Sequence, residues 1–140
     1  MAIPTKLTLE IVTPDKSLVR DEVDEVQVPA AEGYMGILPG HTPLLALLKV
    51  GELWYRKGSE KFYLSIAFGF VEVLPDRVTI LAQLAERPED IDRERAERAR
   101  RRAEERMAKP TPEIDFERAR IALMKSMVRL QVAARARTRV

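Results

Sequence analysis

The chain has 140 residues, with 24 Lys and Arg against 22 Asp and Glu, a net charge of +2, one His and no Cys. That length allows one domain, or a small core with an appendage. The lack of Cys excludes disulfides, thiolate metal sites and a Cys nucleophile, and the lone His excludes a multi-His metal site. With 46% apolar and 33% charged residues the composition is that of a soluble globular protein. No apolar run approaches the ~20 residues of a membrane span. The opening MAIPTKLTLE lacks the basic and apolar regions of a signal peptide, so an intracellular protein is expected.

In chain order, the first half reads as short strands with turn signals between them. Leu7, Leu9 and Ile11 alternate with Thr8, Glu10 and Val12 before Thr13-Pro14-Asp15, and Val26 and Val28 alternate with Glu25 and Gln27 before Pro29. Leu53 and Tyr55 precede a turn at Lys57-Gly58-Ser59, and Phe62, Leu64 and Ile66 share one face of the next strand. Val71 and Val73 alternate with Phe70, Glu72 and Leu74, and Val78, Ile80 and Ala82 follow Pro75-Asp76. Strands at roughly ten-residue spacing predict an antiparallel sandwich or flattened barrel.

The stretch from Glu32 to Leu45 departs from this alternation. Its three glycines and two prolines predict a shaped loop between strands, and its apolar residues suit a loop that meets a partner. The Lys and helix of a phosphate-binding P-loop are missing. His41 has no Ser, Cys or second His nearby, so a structural or interface role is expected for it.

The second half reads as a helical hairpin. Pro88 suits a first helical turn, and Glu89, Asp90 and Asp92 complement the positive end of a helix dipole. Ala96, Ala99, Ala103 and Met107 form a narrow stripe of small residues along a helix over about 89–107. Lys109-Pro110-Thr111-Pro112 breaks the pattern, with Thr111 as the expected N-cap of a second helix over about 113–137. There Phe116, Ala119, Leu123, Met127, Leu130 and Ala134 make one apolar stripe. Ile121, Met124, Val128 and Val132 make a second beside it. The first helix buries little, so the hairpin's hold on the body is expected to be marginal.

Charge divides the chain at the same place. Residues 1–86 hold 8 basic and 12 acidic residues, and residues 87–140 hold 16 and 10, so an acidic body carries a basic arm. Intrahelical pairs such as Glu94–Arg98 and Glu97–Arg101 account for the first helix. After Glu117 no acid follows, while Arg118, Arg120, Lys125, Arg129, Arg135, Arg137 and Arg139 do. Nucleic acid is a poor fit, because Phe116 is the one aromatic after residue 86 and no stacking platform exists. An acidic protein partner fits best. The adjacent carboxylates Glu89/Asp90 and Glu104/Glu105 do not converge across a cleft, so acid–base catalysis ranks last.

These segments resemble the epsilon subunit of bacterial F-type ATP synthases, the equivalent of the mitochondrial delta subunit, over essentially the whole length. Leu9-Glu10-Ile11-Val12-Thr13-Pro14 is similar to the family's first strand, and Glu32 to Leu45 to its most recognisable signature. Phe70-Val71-Glu72-Val73 and Val78-Thr79-Ile80-Leu81-Ala82 resemble its late strands, with Phe68-Gly69 where the family usually has a Gly pair. Ile91-Asp92-Arg93-Glu94-Arg95-Ala96 matches its nucleotide motif.

The resemblance implies an α+β fold: an antiparallel β-sandwich of about ten strands in residues 1–86, then a two-helix hairpin in residues 87–140. It implies a non-catalytic rotor subunit of the central stalk, peripheral on the cytoplasmic face of the inner membrane. Glu32, Gly33, Tyr34, Met35 and His41 would contact the rotor, formed by the gamma subunit and the c-ring. The mobile helices would restrain ATP hydrolysis, with Arg118, Arg120, Lys125 and Arg129 docking on an acidic segment of a beta subunit beside alpha. No cofactor is required. ATP is implied as a regulatory ligand, held by Glu86, Ile91, Asp92, Arg95, Ala96, Arg102 and Arg129. The competing expectation is a free-standing regulatory or nucleic-acid-binding protein with a basic helical arm.

Overall fold

The computed structural model describes residues 3–109, 111, 112 and 115–136. The chain forms two compact units, Met1–Ala85 and Glu86–Val140.

The first unit contains β1 (Leu7–Val12), β2 (Ser17–Val23), β3 (Glu25–Ala30), β4 (Gly33–Ile37), β5 (Leu44–Lys57), β6 (Glu60–Leu74) and β7 (Arg77–Glu86), whose last residue, Glu86, is the first of the second unit. Neighbouring strands run in the order β2-β1-β7-β6-β5-β3-β4. The expected alternations hold: Leu7, Leu9 and Ile11, Val26 and Val28, and Val78 and Ile80 are fully buried. Seven strands among the described residues replace the expected ten, because two are long. β5 has 14 residues and β6 has 15.

Burial along these two strands explains how so few strands make two layers. On β6 the core takes Leu64 and Ile66 and then Val71 and Val73; on β5 it takes Leu48 and then Leu53 and Tyr55. Inward positions therefore switch between even and odd partway along both strands. A strand that exchanges its faces mid-length turns the corner of a sandwich and lines the same core from both layers.

The backbone at the corner shows what permits the turn. Phe68 has φ 62° and Gly69 φ 126°. A Cβ on Gly69 would lie 2.0 Å from the Leu81 carbonyl oxygen, so only glycine lets β7 approach there. Phe68 occupies a left-handed conformation that glycine adopts without strain. On β5, a Cβ on Gly51 would lie 2.5 Å from Pro29 Cβ.

The sandwich also departs from a wholly antiparallel pattern. β1 pairs with β7 in parallel, Val12 opposite Leu81, while β1–β2, β3–β4, β3–β5 and β5–β6 are antiparallel. The first and last strands of the unit thus lie side by side, which ties its ends together. A charged network closes one rim: Lys6 and Arg56 reach Asp24, Arg56 Nε donates to Glu25 at 3.1 Å, and Lys57 donates to Asp21 at 2.6 Å. The Lys57 hydrogen bond holds the Asp21 carboxyl below its ordinary value, and that of Lys6 does the same for Asp24.

The second unit contains a 3-10 turn at Pro88–Asp90, α1 (Arg93–Ala108) and α2 (Phe116–Arg135). Pro88 opens the 3-10 turn rather than α1. Asp92 caps α1, accepting from the Arg95 N–H at 3.0 Å, and α1 runs to Ala108 rather than from 89 to 107. Asp115, not Thr111, caps α2 by accepting from the Arg118 N–H at 3.1 Å. The expected ends of α2, at 113 and 137, lie outside the described residues, as do Arg137 and Arg139.

The seam between the helices corrects the expected apolar stripe. The buried line of α2 is Ala119, Ser126 and Ala133, with Val132 beside it, whereas Phe116 and Met127 are about half exposed. The matching line of α1 is Ala96 and Ala103. Both lines repeat every seven residues and the two helices lie against each other, so the buried stripe of each helix is built mainly of small residues. Once α1 presents alanine, close approach selects small partners on α2 and sends the large side chains to its flanks. Ser126 Oγ donates to the Leu123 carbonyl at 2.8 Å, which satisfies it inside the seam.

Candidate functional site

On the sandwich unit, the glycine-rich stretch is more ordered than a loop. Residues 33–37 form β4, paired with β3 through Val28 opposite Met35 and Pro29 opposite Tyr34. Glu32 lies in the connecting turn and Gly33, at φ 134°, completes it. Tyr34 is 60% exposed, yet its hydroxyl accepts from the Glu52 N–H at 3.3 Å. Met35 packs against the core and Ile37 lies within it. Beyond β4 a turn follows, in which the His41 N–H reaches the Leu38 carbonyl and the Gly40 N–H donates to the Pro75 carbonyl at 2.7 Å. His41 Nδ1 lies 2.7 Å from the Thr42 carbonyl oxygen, a local contact that gives it no catalytic partner.

This hairpin walls a groove of about 560 Å³ with the start of β5, lined by Ala31, Glu32, Tyr34, Met35, Leu44 and Leu47. Leu44, Leu45 and Leu47 are 40%, 68% and 56% exposed. The strand register extends the apolar surface. Leu47 stands opposite Phe70, which is 48% exposed, and Val12 stands opposite Leu81, which is 54% exposed. Phe70, Leu81, Val12 and Pro14 line a second groove of about 350 Å³. Val12 and Leu81, and Phe70 and Leu47, are register pairs, and the second groove joins the two pairs, so the four residues make one row across four neighbouring strands. A sheet face left to water carries polar residues at these positions. Large apolar side chains in contiguous outward positions mark a contact surface.

Sequence reading reached the apolar residues around Leu44 but not Leu47, Phe70 and Leu81. The signal was there in one form: Phe70 sits at the outward parity of a strand whose inward residues are Val71 and Val73. Without the register across β5, β6 and β7, the three residues remain separate in the sequence.

In the helical unit the motif residues have defined local roles. Ile91 is buried beside the 3-10 turn, Asp92 caps α1, the Arg95 N–H receives that cap, and Ala96 is fully buried in the seam. The spacing Ile-Asp-x-x-Arg-Ala is therefore also that of a helix start: an apolar anchor, a cap and a small residue one turn on. Arg95 and Arg102 are exposed, with no ion-pair partner among the described residues.

Glu86 and Arg129 are brought together. Arg129 Nε donates to Glu86 Oε1 at 2.7 Å and Nη2 donates to Oε2 at 3.1 Å, a two-pronged pair with both side chains partly buried. This corrects the expectation that basic residues after Glu117 have no acid to meet. Arg120 is also engaged, with Nε donating to Glu117 at 3.1 Å and Nη1 reaching Met124 Sδ. The Arg120 hydrogen bond holds the Glu117 carboxyl below its ordinary value. Among the docking candidates Lys125 is half-buried, and Arg118 is exposed with no ion-pair partner among the described residues. On α1 the Glu97–Arg101 pair forms, at 3.7 Å, but Glu94 and Arg98 do not pair.

Residues 6–88 match the family model of the ATP synthase delta/epsilon chain β-sandwich domain, and residues 89–134 match that of its long α-helix domain. The chain is 47% identical to the ATP synthase epsilon chain of Solibacter usitatus, across 94% of this chain and 98% of that protein. It is 50% identical to that of Herpetosiphon aurantiacus, across 95% and 98%. A chain in the cryo-EM structure of the Euglena gracilis mitochondrial ATP synthase superposes with a TM-score of 0.82 at 27% identity, covering 96% of this chain and 84% of that one.

Proposed function

The chain belongs to the ATP synthase delta/epsilon family as a non-catalytic subunit of the central stalk, and from that premise we propose a division of labour between its two units. The sandwich unit docks on the rotor and couples the gamma subunit to the c-ring. The helical unit restrains ATP hydrolysis by presenting basic residues to an acidic surface of beta, beside alpha. The complex would hold the subunit at the cytoplasmic face of the bacterial membrane, and no helix among the described residues is long and apolar enough to cross it.

The observation that carries this reading is the row of Leu81, Phe70 and Leu47, each about half exposed, with the partly buried Val12 at its end, joined to the groove lined by Tyr34. Each of these side chains, once covered by a partner, contributes on the order of 1 kcal/mol or more by leaving water. A rotor protein carrying torque needs such a broad, fixed contact. ATP is a regulatory ligand in this reading, with Asp92, Arg95, Ala96 and Ile91 near the start of α1, and with Arg102, Glu86 and Arg129 as further contacts. Phosphate oxygens suit guanidinium groups.

The direct test replaces Phe70 and Leu81 by Glu in the full chain. Both side chains are half exposed, so the fold is retained, while co-purification with the gamma subunit and c-ring should fall at least about tenfold. Undiminished co-purification would remove this face from the rotor contact.

A further inference from the structure

The Glu86–Arg129 pair differs from the other ion pairs of the helical unit. Glu97–Arg100, Arg100–Glu104, Glu97–Arg101 and Glu117–Arg120 join residues three or four apart on one helix, so each braces only its own turn. Glu86 and Arg129 are 43 residues apart. Between them in sequence lie the 3-10 turn, α1 and the whole interhelical segment, so the pair closes a loop around the unit. Both carboxylate oxygens are engaged, and the side chains are 24% and 31% exposed for Arg129 and Glu86 respectively. A two-pronged, charge-assisted pair that is partly withdrawn from water is among the stronger ion-pair geometries. The rest of the closure is a seam of Ala96, Ala103, Ala119, Ser126 and Ala133 with Val132 beside it, mostly small side chains that leave the larger apolar residues of α2 only partly buried.

We propose that Glu86 and Arg129 form an ionic clasp that fastens α2 to the entry of the helical unit. In the clasped state Glu86 is an internal stand-in for an external carboxylate or phosphate, because one guanidinium fork seats one such group in this geometry. Arg129 becomes available to an acidic protein surface only when Glu86 releases it. The clasp itself rests on the observed geometry alone; the competition for Arg129 rests on the docking role proposed for α2.

Two measurements on the full chain separate these claims. The first is amide hydrogen exchange along α2 between Val128 and Val132. Glu86→Gln and Arg129→Gln should each speed exchange there by about fivefold or more, with sandwich amides unchanged. The exchanged pair, Glu86→Arg with Arg129→Glu, should recover most of the protection. High salt should bring the unsubstituted chain toward the Glu86→Gln rate and leave that variant unmoved. Exchange unaltered by Glu86→Gln, or an exchanged pair no better protected than the single variants, overturns the clasp. Should Arg129→Gln fail to fold, Arg129→Lys keeps the charge without the fork and should exchange at an intermediate rate; a rate equal to that of the unsubstituted chain counts against the clasp. The second measurement is binding of polyglutamate. Glu86→Gln should bind it several-fold more tightly than the unsubstituted chain and Arg129→Gln more weakly. Equal binding by all three overturns the competition, whatever the exchange data say of the clasp.

Discussion

The sandwich unit fills its interior with Leu, Ile and Val from every strand, and binds its rim with Asp21, Asp24, Glu25, Lys6, Arg56 and Lys57. Among the described residues, the helical unit closes mainly on alanine and serine with Val132 beside them, and is tied by one long-range ion pair. The two therefore draw on different forces. Burying a large side chain contributes about 1.5–3 kcal/mol, so the sandwich is held many times over. An alanine seam buries far less, and its closure depends on close fit and charge. Rigidity in the first unit suits a part that transmits force. A narrow margin in the second suits a part whose state is set by what it meets.

That contrast breaks most sharply at Gly69. Gly69→Ala would set a Cβ 2.0 Å from the Leu81 carbonyl oxygen at a φ of 126°, forcing β6 and β7 apart. A loss of about 3 kcal/mol or more is expected in chemical denaturation followed by the fluorescence of Trp54, which lies on β5 of the same unit. An unchanged midpoint would mean that the corner is not fixed by this glycine.

A smaller effect is expected in the seam. Ala103→Leu overfills a position that is 2% exposed, at a cost of about 1–3 kcal/mol, and should loosen the helices while leaving the Trp54 transition in place. If helix content and exchange protection of α2 are unaffected, the seam is not close-packed and the contrast between the units weakens.

The smallest change sharpens the role of Asp92. Asp92→Ala removes the cap of α1 at about 1 kcal/mol, whereas Asp92→Asn keeps a capping oxygen and removes the charge. Calorimetry with ATP then divides two roles. Binding lost in both variants makes the carboxylate a ligand contact. Binding lost only in Asp92→Ala makes Asp92 an organiser of the helix start.

Much of the architecture was legible in the sequence. Period-two alternation located the core faces of β1, β3 and β7, and Pro88, Asp92 and the break after Lys109 marked the hairpin. What stayed hidden depends on long-range pairing. β5 and β6 read as shorter strands because inward parity changes between Leu48 and Leu53 on β5 and at Phe68-Gly69 on β6, and alternation is legible only where it persists. The α2 stripe was misassigned because larger apolar residues seemed the natural choice for the buried face, whereas the width of the seam is set by Ala96 and Ala103 on the other helix. Arg129 looked unpaired because its acid lies 43 residues upstream. The row Val12, Leu81, Phe70 and Leu47 comes from four strands and exists only in the folded register.

In the proposed division of labour one unit attaches and the other restrains. ATP hydrolysis by the assembled enzyme carrying the chain cut after Glu86 tests it most directly. The account predicts that the shortened chain still joins the stalk and that hydrolysis rises. Hydrolysis unchanged, with the shortened chain in place, would contradict it.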